Sequence, residues 1–127
     1  GQNFHDNAAA QEYSGDITAG FTMSGKNNAN NKTIQLVIQH AFDTIITKGV
    51  YESNSGNHYF SPDGNYVVAD STFYGSGVVP NSSTIKITIL NINQSIVSGT
   101  FSGKFNNTDN TNDSIVITNG EFYLPVQ

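Results

Sequence analysis

Apolar and polar residues alternate through most of the segment from Ile85 to Val126. Because successive side chains of a strand point to opposite faces of a sheet, this alternation predicts strands with one buried face. On the second of these strands lie Gly99 and Gly103, where we expect a bulky neighbour above the glycine or a bend in the strand. The residues predicted to share buried faces are Ile85, Ile87 and Ile89 on the first strand, and Val97, Phe101 and Phe105 on the second.

The Asn119-Gly120 step changes the phase of this alternation. Apolar residues precede it at odd positions, 115 and 117, and follow it at even positions, 122, 124 and 126. A regular strand cannot hold both sets on one face. A two-residue hairpin would reverse the phase and place Ile117 opposite Phe122, whereas a β-bulge would reverse it while the strand runs on. The sequence leaves both alternatives open.

The first two thirds of the chain predict shorter strands separated by turns. Residues 1–14 hold a candidate helix N-cap at Asp6 followed by three alanines, so one or two helical turns or an irregular arm are expected there. The Pro-Asp-Gly-Asn run at 62–65 is expected to be a turn, because Pro presets φ and Gly accepts positive φ. Strands are predicted around 17–23, 34–38, 50–51, 66–69 and 71–74, with further turns at 26–32, 54–57, 75–77 and 80–83.

Turns at a spacing of about 8 to 12 residues are typical of an all-β sandwich or barrel. A chain of 127 residues is expected to form a single domain, here covering residues 1–127. We therefore predict an antiparallel β-sandwich. A closed or partly open β-barrel, similar to a calycin, is the alternative.

Charge is sparse and scattered along the chain. Charged residues make up 12% of it, against roughly 25% in average globular proteins, and the net charge is -5. The five cations are isolated lysines, so no basic stripe can form for a nucleic-acid backbone or an anionic membrane surface. The absence of Cys removes disulfides, thiolate metal sites and thiol nucleophiles. No apolar run approaches the roughly 20 residues that a membrane helix needs, so membrane insertion is not expected.

Patterns for catalysis or metal binding are weak. Nucleophile-elbow and phosphate-loop motifs do not occur, and the ten carboxylates and three histidines show no catalytic spacing, so we expect neither an enzyme nor a cofactor. The loop from Asn106 to Asp113 offers oxygen ligands at alternate positions, which makes Asp109 and Asp113 weak calcium candidates. An EF-hand is excluded, because the sixth and twelfth residues from Asp109 are Ser114 and Gly120 instead of Gly and Glu. The alternative is a solvated hairpin loop.

Four tyrosines in the middle of the chain are the candidate binding residues. Exposed Tyr on a rigid sheet combines apolar area with a polar tip and suits a glycan or a protein partner. The alternative is that these rings belong to the core and that their hydroxyls reach its rim. The four candidates are Tyr51, Tyr59, Tyr66 and Tyr74.

A series of short motifs follows in a fixed order over most of the chain. They are the alanines at 8–10, an apolar strand at 34–38, Gly-Val-Tyr at 49–51, Ile-Lys-Ile-Thr at 85–88, Ser-Gly-Thr-Phe at 98–101 and Ile-Thr-Asn-Gly-Glu-Phe at 117–122. In this order they resemble the small secreted or lipid-anchored domains of unknown function that are common in Bacteroidetes-type bacteria. The segment 21–25 departs from the Ile-x-Gly motif of that family.

This resemblance implies an all-β domain carried beyond the cytoplasm, in the periplasm or as an outer-membrane lipoprotein of the cell envelope. It implies a lipid anchor removed with the signal peptide, and it suggests a preceding first strand whose absence would expose a sheet edge. It implies no activity. We expect a non-enzymatic binding or structural module with a glycan or surface-protein partner. A carrier of a small apolar ligand in a barrel lumen is the alternative, and a hydrolase is the least favoured hypothesis.

Overall fold

The computed structural model describes residues 3–14, 19–29, 31–41, 43–53, 60–68, 72–80 and 83–127. These residues form β-strands and contain no helix, which confirms the predicted all-β class. The strands are β1 (Asp6–Ser14), β2 (Ala19–Asn27), β3 (Lys32–His40), β4 (Gly49–Glu52), β5 (Phe60–Val68), β6 (Thr72–Gly75), β7 (Thr84–Ile92), β8 (Ile96–Asn107) and β9 (Ser114–Pro125).

The strands pair antiparallel in the order β1-β2-β3-β5-β6-β8-β7-β4, and β9 pairs with β8. Strands β1, β2, β3, β5 and β6 form one layer, and β9, β8, β7 and β4 form the other. The layers are joined where Tyr74 and Gly75 of β6 pair with Asn107 and Asn106 at the end of β8. The sheet is not closed into a barrel, and the architecture is that of the predicted antiparallel β-sandwich.

The core lies between the two layers and follows the predicted alternation. Val97 and Phe105 of β8 are fully buried, and Phe101 packs against the core from a half-buried position. The strands predicted around 17–23, 34–38 and 50–51 correspond to β2, β3 and β4. The buried side chains include Phe21, Met23, Ile34, Leu36, Ile38, Ile85, Ile87 and Ile89.

The helix or arm predicted for the N-terminal segment is wrong for residues 3–14, which contain β1. An isolated helix of this length gains little in water. As a strand, the segment pairs along β2 and buries Ala10 completely. A β-bulge between Asp6 and Ala9, with Asn7 at a φ of 51°, distorts the start of the strand.

The turn predicted at 62–65 is also wrong, because these residues lie inside β5, where Pro62 pairs with Ile38. The polar groups of Gly64 face away from β3, since its N–H donates to Ser76 Oγ at 2.9 Å and its C=O accepts from the Ser76 N–H at 3.0 Å. Strand residues two apart point their polar groups to the same side. The missing N–H of Pro62 would therefore point away from β3, to a part of β5 that β6 does not pair with. The β3–β5 ladder loses no hydrogen bond at Pro62.

At Asn119-Gly120 the strand runs on and contains a β-bulge, so the hairpin alternative is wrong. Phe101 pairs with Gly120 but Gly103 pairs with Ile117, so β9 has one residue more than β8 between these pairs. Asn119 has a φ of 54°. Before Asn119 the odd-numbered side chains of β9 point inward, and after it the even-numbered ones do. One left-handed residue thus keeps both apolar sets on the core face.

The expectation for the glycines of β8 is confirmed by their neighbours. A Cβ on Gly99 would lie 2.7 Å from the Phe122 ring and would overlap the carbonyl oxygen of Thr88. A Cβ on Gly103 would lie 2.5 Å from the carbonyl oxygen of Thr84. The adjoining bulges in β7 and β9 bend the ladder at these places, so crowding and bending occur together.

Candidate functional site

A groove of about 480 Å³ lies on the outer face of β1 and β2, beside the end of the chain after β9. Since Ala8, Ala10 and Glu12 point inward, the odd-numbered side chains of β1 point outward into this groove. We call it the β1–β2 groove. Its polar lining is made by Asn7, Gln11, Tyr13, Thr22, Ser24 and Gln127.

The Tyr13 ring lies over a glycine at one end of the groove. It pairs with Gly20 of β2, and a Cβ on Gly20 would overlap the phenol ring of Tyr13. Gly20 itself is buried, whereas Tyr13 keeps 44% of its surface exposed. One face of the ring therefore lies against the sheet, and the rest of the ring is open to a ligand.

The strand register lines up the polar side chains beside this ring. Gln11 pairs with Thr22, and the following pair on the outer face is Ala9 with Ser24. At the far side, the N–H of Gln127 donates to the Ala10 carbonyl at 2.8 Å, which sets the last residue against β1. The described lining offers amides and hydroxyls and contains no charged side chain. Such groups can donate and accept hydrogen bonds without selecting for a charged ligand.

The predicted tyrosines do not line this groove. Tyr51 and Tyr66 are buried in the core, and the Tyr51 hydroxyl donates to the Thr47 carbonyl at 2.8 Å and accepts from its N–H at 3.0 Å. Tyr74 is half-buried. Tyr59 lies outside the described residues, as does the turn predicted at 54–57. The Tyr51 and Tyr66 rings belong to the core, as the alternative interpretation expected, and the hydroxyls of Tyr51 and Tyr74 are hydrogen-bonded.

The two calcium candidates lie in a loop whose polar groups are engaged in local hydrogen bonds. The Tyr74 hydroxyl donates to Asp113 at 2.6 Å, and the Asn107 amide donates to the same carboxylate at 3.2 Å. These bonds hold the pKa of Asp113 below its ordinary value, and the same bond to Asp113 raises the pKa of Tyr74. Asp109 is exposed, and its N–H donates to Asn107 Oδ1. Within the described residues, no three His, Asp or Glu side chains come together as metal ligands.

A Glu-His-Thr cluster at one end of the sandwich resembles a catalytic arrangement in composition. His40 Nε2 lies 2.5 Å from Glu12 Oε1, and His40 Nδ1 lies 2.9 Å from the Ala41 carbonyl and 3.1 Å from Thr44 Oγ1. The Thr44 hydroxyl donates to the same carbonyl at 2.7 Å. His40 is 3% exposed in its side chain and stacks on Phe60. The hydroxyl proton is thus directed at the backbone and the imidazole is covered, which indicates a structural role.

The sequence did not identify Tyr13 or Gln11 as site residues. The reason is that a helix or an arm, as predicted for residues 1–14, does not place alternate side chains on one face. The available signal was the strand period itself, with small residues at 8 and 10 and polar or aromatic ones at 11 and 13. The alanines concealed this period because Ala has the highest helix propensity of all residues.

The described residues contain no helix that is long and apolar enough to span a lipid bilayer. Comparison with models of known protein families finds no match to the chain. Comparisons with curated proteins and with solved structures also find none. The groove and its chemistry are therefore the basis of the functional argument.

Proposed function

We propose that this protein is a non-enzymatic binding module for an uncharged glycan, and that the β1–β2 groove is its site. The observation that carries the proposal is the half-exposed Tyr13 ring, which lies over Gly20 at the end of a groove lined by uncharged amides and hydroxyls. The extracytoplasmic setting implied by the sequence resemblance is part of the proposal, since glycans of the cell surface are found there.

The chemistry of a sugar matches both parts of the groove. A sugar ring presents C–H groups on its faces, which pack on an aromatic ring, and hydroxyls around its edge, which exchange hydrogen bonds with amides and hydroxyls. Tyr13 offers the aromatic surface, and Gln11 and Thr22 lie beside it as a register pair. A charged ligand would find no side chain of opposite charge in the described lining. The groove therefore favours a neutral ligand.

The other functions have less support. A carrier of an apolar ligand needs an enclosed lumen, whereas the sheet is open and side chains from both layers fill the space between them. A hydrolase needs an accessible acid, base or nucleophile, whereas the His40 ring is buried and its neighbouring hydroxyl is bound to the backbone. A surface-protein partner stays an alternative occupant of the groove.

The test is a panel of neutral oligosaccharides measured by titration calorimetry against the protein and two tyrosine variants. We expect one or more members to bind, and Tyr13→Ala to weaken that binding at least about tenfold, or about 1.4 kcal/mol. Tyr123→Ala is the matched control, because Tyr123 is 71% exposed but lies on β9 in the other layer. No binding to any glycan, or equal losses in both variants, would contradict the proposal.

A further inference from the structure

We infer that the glycan is an extended chain that crosses the strands from the β1–β2 groove over β3 to β5, and not a single terminal sugar. This inference rests on the proposed glycan-binding function and adds the length and direction of the ligand. It comes from the outer face of the layer, where the polar lining of the groove continues past its edge.

The strand register forms continuous rows of outward side chains. Tyr13 pairs with Gly20, Gly20 with Gln39, and Gln39 with Ser61, so one row runs from β1 to β5. Gln39 and Ser61 are both exposed. The aromatic ring lies over Gly20 of β2, and it is followed by an amide on β3 and a hydroxyl on β5.

A parallel row has the same chemistry. Ser24 pairs with Gln35 of β3, and Gln35 pairs with Asn65 of β5. Adjacent strands lie about 4.8 Å apart, so three spacings from β1 to β5 cover about 14 Å. That span exceeds one sugar ring. A ligand that used both ends of a row would therefore have several units and would lie across the strands.

Asp63, the charged residue of β5, lies between these two rows. The Asp63 carboxylate accepts from the Ser76 hydroxyl at 2.6 Å and from the Gly64 N–H at 2.8 Å. The outer faces of both layers also carry an exposed lysine, Lys26 on β2 and Lys86 on β7. The Tyr13 ring and the two polar rows, and not a lack of charge, therefore favour the layer that carries Tyr13 as the surface for a long neutral chain.

The test is a length series of one neutral oligosaccharide, from the monosaccharide to the hexasaccharide, with calorimetric affinities for the protein and for two glutamine variants. We expect affinity to rise at least about tenfold from the shortest ligand that binds to one that spans the rows. We expect Gln39→Ala to weaken binding of the long oligosaccharides several-fold and to leave the shortest binder unchanged. Gln94→Ala is the matched control, since Gln94 is an exposed amide in the turn between β7 and β8.

The possible outcomes distinguish this inference from the proposed glycan-binding function on which it rests. The extended chain would be overturned if short and long ligands bound with equal affinity, or if Gln39→Ala bound like the wild type. Either result would leave a Tyr13-dependent site for a terminal sugar in place. No binding by any oligosaccharide would overturn both. A protein partner whose binding is lost in both Tyr13→Ala and Gln39→Ala would also overturn both. Unchanged melting temperatures would show that the variants are folded, as expected for exposed side chains.

Discussion

Glu12 Oε1 lies 2.5 Å from His40 Nε2, although the two residues belong to strands separated by β2. The contact crosses the end of β2, where the residue opposite His40 is Ala19 and presents only a methyl group. The pair holds β1 to β3 on the inner face, while Tyr13, the next residue of β1, lies on the outer face. The contact therefore anchors the strand that carries the proposed site.

Replacement of Glu12 by Ala is expected to lower the free energy of unfolding by about 1 to 3 kcal/mol, because it removes the partner of a buried imidazole nitrogen. Urea denaturation at neutral pH measures it. Glu52→Ala is the control, since Glu52 has a similar side-chain exposure of 49% but pairs with an exposed Lys86 at 3.7 Å. A surface pair of that kind contributes about 0 to 1 kcal/mol. Equal losses in the two variants would show that the His40 contact adds nothing.

The bond between Tyr74 and Asp113 predicts a stability difference that depends on pH. The pKa of Asp113 is lowered from 3.8, so its contribution is present above that value and is lost as pH falls through the lowered pKa. The pKa of Tyr74 is raised from 10.0, so its contribution is present below that value and is lost as pH rises through the raised pKa.

Tyr74→Phe removes this bond, the titrating hydroxyl of Tyr74 and the largest cause of the lowered Asp113 pKa. We expect the wild type to be more stable than the variant between these limits, with the difference shrinking in acid and in alkali. Denaturation midpoints across the pH range measure it. Tyr123→Phe is the control, because its exposed ring lies on β9 away from this loop. A difference that stays constant with pH would contradict the assignment.

The bulge at Asn119 predicts which side chains this position accepts. Asn119→Gly should be within about 0.5 kcal/mol of the wild type, because Gly adopts positive φ readily. Asn119→Val should cost about 1 to 3 kcal/mol, because a β-branched residue is strained at a φ of 54°. Thermal denaturation of both variants measures the contrast. Since Asn119 is exposed, lost packing cannot explain it, and similar melting temperatures would argue against the left-handed conformation.

Gly99 and Gly77 provide a second matched pair. Gly99→Ala places a methyl group into the Thr88 carbonyl and the Phe122 ring, so we expect a loss of about 1 to 3 kcal/mol. A Cβ on Gly77 meets no atom within 4 Å, so Gly77→Ala should change stability by less than about 0.5 kcal/mol. Chemical denaturation of the two variants measures the difference. If Gly99→Ala were as stable as the wild type, β7 and β8 would be able to move apart at this position without a loss of stability.

The alternation of side chains predicted the strands that bury one face. Ile34, Leu36 and Ile38 are buried on β3 as expected, and the phase change at Asn119-Gly120 correctly required a turn or a bulge. The choice between them depended on whether β8 continues beside β9. That is a long-range pairing, and residues near the bulge do not encode it.

Local turn chemistry was misleading where tertiary pairing overrode it. The Pro-Asp-Gly-Asn run at 62–65 has the residues of a turn, but Gly64 sits under Ile85 and Phe105 of the other layer. A Cβ there would approach Ile85 Cδ1 at 2.6 Å, so this glycine gives the layers room to meet. The sequence did not predict Tyr13 as a site residue for a similar reason. Its position over Gly20 follows only from the register of β1 and β2, which is a tertiary pairing.

The contact between Ala10 and residues 126 and 127 has a consequence for the time course of biosynthesis. The ribosome releases β1 first, but β1 receives this contact only after β9 has been translated. Until then, the nascent chain presents one wall of the β1–β2 groove without the side chain of Gln127. The groove would thus be complete only after translation of the whole sandwich, because Gln127 is part of its lining.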